Sequence, residues 1–133
     1  MFTARQVKEI TVEVRNEIGV LHEMAKLVAE KGVSILALQG GVQDGRAVIR
    51  MVTDDNLRAA DALRARNYLP LESEAVMAEI PHRPGMLRVL TEKLARAGLD
   101  IDHLYATAGP GDVHCNLILS CTDNGRAIVE LNR

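Results

Sequence analysis

Two short segments carry residue types suited to holding a small polar ligand: Asn16-Glu17-Ile18-Gly19-Val20-Leu21 and His82-Arg83-Pro84-Gly85-Met86-Leu87. Each places a hydrogen-bonding side chain three residues ahead of a glycine, with apolar residues at helical spacing behind it. Glycine lets the backbone approach a ligand closely, in conformations that other residues resist. A helix opening there presents unpaired N–H groups and a partial positive charge, both suited to a carboxylate. Asn16 can donate and accept, so it matches an ammonium or a carboxylate. His82 offers a ring that can be charged. A plainer use fits the same residues: the glycine only makes a tight turn, and the asparagine caps the helix.

Other reactive side chains do not form a recognisable set. His22, His82, His103, His114, Cys115 and Cys121 are scattered, with no C-x-x-C, no H-E-x-x-H and no histidine pair one helical turn apart. Cys115 and Cys121 fall on one predicted strand and share a face. At about 3.3 Å per residue they lie ~20 Å apart, too far for a common ligand or a disulfide. Both read as small buried hydrophobes. There is no G-x-S-x-G, P-loop or G-x-G-x-x-G, and no nucleophile, base and orienting group at workable spacing. The reading is of a non-enzyme with no metal and no cofactor.

Composition narrows the partners. The only aromatic residues are Phe2, Tyr68 and Tyr105, too few for the stacking platforms of single-stranded nucleic-acid binders. A net charge of −2 removes the basic footprint such proteins need. No segment approaches the ~18 consecutive apolar residues of a membrane span. No apolar run follows Met1-Phe2-Thr3-Ala4-Arg5, so it does not read as a signal peptide. The expectation is a soluble cytoplasmic protein that contacts neither nucleic acid nor membrane.

The elements that must position the two segments occur twice. Val12–Leu38 lies over Ala78–Leu104, 66 positions on, with Glu13/Glu79, Gly19/Gly85, Leu21/Leu87, Gly32/Gly98 and Ile35/Ile101 among the identical pairs. A repeat this long is a domain duplication rather than a solenoid of short units. Ile10–Val14 and Val76–Ile80 alternate with period two, the mark of half-buried strands. Leu21, Met24, Ala25, Val28 and Leu87, Leu90, Thr91, Leu94 then follow at helical spacing, and both helices stop at a glycine. Strands are predicted over Val33–Val42 and Arg46–Val52, joined by an Asp44-Gly45 hairpin, and over Leu99–Thr107 and Val113–Cys121. Thr53-Asp54-Asp55 and Thr122-Asp123-Asn124 supply caps for further helices, with stripes Leu57, Ala60, Leu63 and Ala127, Ile128, Leu131. Tyr68–Ser73 is predicted as a fourth strand of the first copy. The fold class is α+β: two ferredoxin-like βαββαβ modules, residues 6–73 and 74–133, with antiparallel sheets and helices on one face. The second module reads as lacking its last strand.

A strand ending at Asn or Asp, then x-x-Gly-x-Leu opening a helix, then Gly-Val/Leu-x-Ile starting a second strand, resembles the ACT domain. Val14–Leu21, Ile80–Leu87 and Ala97–Ala106 carry the likeness, and the chain is similar to small proteins made of two tandem ACT domains. Ile18 stands where that family usually has proline, and His82 where it mostly has Asp or Asn. The resemblance implies a regulatory or sensing module that binds a small molecule, typically an amino acid, at a seam between such domains. A ligand-free interaction module assembling with a partner enzyme is the alternative, and a small enzyme whose site forms only across an oligomer is a weaker third. Leu36, Leu38, Val48 and Arg50 share one parity, and Ile35, Ala37, Ile49 and Met51 the other, so both sheet faces read as apolar. The same reading sets Leu99, Ile101, Leu117 and Leu119 against Leu104, Ile118 and Ala106. With an open edge besides, this points to a homodimer.

Overall fold

Ten elements follow the chain in the computed structural model, which describes residues 1–133: β1 Thr3–Arg15, α1 Val20–Glu30, β2 Ile35–Gln43, β3 Arg46–Thr53, α2 Asn56–Arg64, β4 Leu71–Pro81, α3 Met86–Arg96, β5 Ile101–Thr107, β6 His114–Cys121 and α4 Asn124–Leu131. The fold is α+β, and no helix is long and apolar enough to cross a membrane. The chain divides into two units, Lys8–Ser73 and Met1–Val7 with Glu74–Arg133.

In the Lys8–Ser73 unit the strands run β2-β3-β1, all antiparallel, with the opening residues of β4 beyond β1. Alternation drives the packing. Ile10 and Val12 of β1 and Ile49 and Met51 of β3 face Met24 and Val28 of α1 and Ala60 and Leu63 of α2. Asp44 and Gly45 both have positive φ, 52° and 76°, the type I′ hairpin pattern. Leu57 is exposed; the buried face of α2 is Ala59, Ala60, Ala62 and Leu63.

The other unit repeats this plan as β5-β6-β4, with Val76, Ala78, Leu117 and Leu119 packed against Leu90, Leu94, Ala127 and Leu131. Its expected vacancy is filled. Residues Thr3–Val7 of β1 belong here beside β4, with Phe2 and Ala4 inside the same core. The Ala4 N–H donates to Asn132 Oδ1 at 2.8 Å, and Asn132 Nδ2 donates back to the Ala4 carbonyl at 2.9 Å. Gln6 and Val7, assigned by pattern to the first module, therefore lie in the second unit. Tyr68–Ser73 and Val76–Ile80, expected as two strands, are largely one: β4 starts at Leu71 and runs without a break, while Tyr68 packs on the first core.

The duplication extends to single hydrogen bonds. Asn56 Oδ1 accepts from the Thr53 N–H while its Nδ2 donates to the Lys8 carbonyl. Asn124 does the same with Cys121 and Glu74. Each asparagine ties the start of a helix to the start of its unit's first strand. Cys121 is buried and Cys115 half-buried, both against the core, and burial raises the Cys121 thiol pKa.

Both second strands carry a register shift, between Ile35 and Ala37 and between Ile101 and His103. A one-residue shift turns every later side chain to the other face. Leu38 consequently pairs with Met51 and Leu104 with Leu119, on the helix side of their sheets. The opposite faces then carry Gln39 and Arg50, hydrogen-bonded at 3.3 Å, and a stacked His103–Tyr105 pair beside Ile118 and Ser120. The expected second apolar face is mixed instead.

Candidate functional site

Each six-residue segment forms the turn between a first strand and its helix. Gly19 and Gly85 are the N-cap residues of α1 and α3, with φ of 89° and 90°. Only glycine takes this left-handed conformation without strain. Neither helix has a side-chain cap, so the asparagine-cap role open to Asn16 is not used on α1. At α2 and α4, by contrast, Asp55 and Asp123 accept from the Arg58 and Arg126 N–H groups. An uncapped first turn leaves N–H donors facing outward.

The turns are anchored from outside themselves. The Asn16 N–H donates to the Gly45 carbonyl at 3.3 Å, and the His82 N–H to the Val113 carbonyl at 2.8 Å. These hold each strand end to the loop between its unit's second and third strands. Within the turns, Val20 N–H reaches Glu17 O and Met86 N–H reaches Arg83 O, each at 3.3 Å. Asn16, Glu17, Ile18, His82, Arg83 and Pro84 are exposed, while Val20 and Met86 are half-buried against the cores. Gly45 is expected as a hairpin residue and Val113 as the start of a strand, but their role as anchors of the two turns follows only from strand register.

Leu21 lies over the second strand. A Cβ built on Gly40 would sit 3.2 Å from Ile49 Cδ1 and 3.9 Å from Leu21 Cδ2. Val14, Ala47 and Val42 form the neighbouring row on that side. Leu21, Leu38 and Val42 remain 39%, 37% and 61% exposed, leaving an apolar margin along β2, at the edge of this unit's sheet. No residue of β2 is charged. The two turns lie in different units, and each forms its own uncapped helix entrance. No group of histidine, cysteine and acidic side chains is arranged to hold a metal ion.

No curated protein matches the chain in sequence. Among solved structures, protein BT0572 from Bacteroides thetaiotaomicron shares the fold at a TM-score of 0.89 and 21% identity, over 97% of this chain and 88% of that one. The ligand-free regulatory subunit of aspartate kinase from Thermus thermophilus gives 0.70 at 12% identity, over 98% and 94%. Its counterpart from Thermus flavus gives 0.69 at 13% identity, over 99% and 94%. Residues 8–71, which hold the Asn16 turn, match the family model of the ACT domain.

Proposed function

We propose that the chain is a regulator built of two tandem ACT modules, working in the cytoplasm, that binds an amino acid at the entrances of α1 and α3 and acts as a homodimer. The observation that carries this is the duplicated helix entrance: a left-handed glycine, no side-chain cap, and a hydrogen-bonding residue three positions earlier. Outward N–H groups and the helix dipole suit an α-carboxylate, and Asn16 can take the ammonium. The match of residues 8–71 to the ACT domain and the likeness to regulatory subunits of aspartate kinase support the same reading. An edge strand without charge, beside exposed Leu21 and Val42, favours pairing with a second copy along β2. That would set another chain next to the Asn16 turn and enclose the ligand.

A calorimetric titration with the common amino acids tests the reading. One amino acid is expected to bind. Asn16→Ala should weaken it about tenfold, as loss of a hydrogen bond to a charged group does, and His82→Ala should weaken it less. Equal affinity in both variants, or no binding amino acid at all, would sink the proposal. Light scattering should return twice the 14.5 kDa chain mass; a clean monomer would remove the β2 pairing and leave the ligand reading to stand alone.

A further inference from the structure

A cleft of about 250 Å³ runs along α1 from Gly19 at its entrance, lined by His22, Glu23, Lys26, Leu27 and Glu30 and flanked by Arg66 from the connection between α2 and β4. Drug-sized ligands occupy about 300–1,000 Å³, so this volume suits something smaller. Its floor is the buried Leu27, and its walls are charged. Their pairing decides what it can hold. The Tyr68 hydroxyl pKa is raised by burial first and then by the Glu23 carboxylate beside it. Glu30 faces Lys26 at 3.9 Å. Both acids thus have partners, whereas the side chains of Arg66 and His22 have neither an ion pair nor a hydrogen bond.

Arg66 does not hang on a loose loop. Its N–H donates to Leu63 O at 3.1 Å, Asn67 N–H to Arg64 O at 3.0 Å, and Tyr68 N–H to Leu63 O at 3.1 Å. Asn67 takes a left-handed φ of 66° to close this turn. The guanidinium is therefore carried by a hydrogen-bonded helix end and faces a helix one side of which supplies His22 and Lys26. A guanidinium is a planar two-pronged donor that fits carboxylate and phosphate oxygens.

We propose that this cleft binds the oxyanion group, phosphate or carboxylate, of a small ligand, with Arg66 as the forked donor and His22 and Lys26 flanking it. The cleft meets the α1 entrance at Gly19 but uses neither Asn16 nor any other residue of that turn, so the two readings separate by mutation.

The test is an NMR titration of the full chain, at fixed ionic strength, with inorganic phosphate and in parallel with acetate. Saturable amide shifts centred on residues 19–30 and 64–68 are expected with at least one of the two. Arg66→Gln should weaken that binding about tenfold, the loss of a charge-assisted pair. Lys26→Gln should weaken it less, and Asn16→Ala and the equally solvent-facing Arg126→Gln should leave it unchanged. Tighter phosphate supports a phosphorylated ligand, and tighter acetate a carboxylic acid. Shifts that do not saturate, or affinity that survives both Arg66→Gln and Lys26→Gln in folded variants, would overturn the site; loss with Asn16→Ala instead would assign the anion to the turn.

Discussion

Phe2→Ala is expected to lower stability by about 3–4 kcal/mol, the usual cost of emptying a buried aromatic site. Phe2 is 5% exposed in the same core as Leu90, Leu94 and Leu131, and Lys93 Nζ lies 5.4 Å from its ring centre. No neighbouring aromatic residue could relax into the space, since only Tyr68 and Tyr105 remain in the chain. Urea unfolding should show a lower midpoint at unchanged slope. Leu69→Ala, at a residue 79% exposed, should shift stability by less than about 0.5 kcal/mol. A cost below about 1 kcal/mol for Phe2→Ala would mean that residues 1–7 are not integral to the second core.

The double variant Gly19→Ala/Gly85→Ala should lose about 2–4 kcal/mol, divided evenly between the two sites. Nothing lies within 4 Å of a Cβ at either position, so steric clash contributes nothing. What remains is left-handed backbone forced on an L-residue, worth about 1–2 kcal/mol each. The turns sit in different units and share no hydrogen-bond partner, so the costs should add. Gly41 gives the contrast, having equally open surroundings but no positive φ. Gly41→Ala should be neutral or slightly stabilising, because alanine restricts the unfolded chain. Equal losses at Gly41 and Gly19 would show that the glycines are needed for something other than their φ.

The helix entrances were legible because glycine spacing signals them directly. Gly19 and Gly85 each stand between a period-two run and a helical stripe, and both took the left-handed turn that this position suggests. Strand register was not legible. Ile35-Leu36-Ala37-Leu38 alternates too weakly to reveal the shift, and a missed bulge reverses the face of Leu38 and Leu104. The first strand was read short because Arg5-Gln6 interrupts the apolar alternation, yet its backbone can pair with β4 without help from those side chains. Glu72 and Ser73 are strand as expected; what the polar exposed run Glu72-Ser73-Glu74 hid is that this strand continues unbroken into the next. The cleft at Arg66 was invisible in sequence, since no spacing links Arg66 to His22 or Lys26; only the turn through Asn67 brings it to α1.

The pairing of Ala4 with Asn132 joins positions 128 apart in sequence. The Lys8–Ser73 unit closes its whole core within one stretch of chain. Assembly rate falls as contacts become less local, so that unit should form early, while the other waits for its borrowed strand. During the wait β4 offers a row of unpaired N–H and C=O groups, the usual template for mispairing. Refolding at high protein concentration should accordingly lose material to aggregation at this one late step, and holding the first seven residues near Asn132 should shorten it.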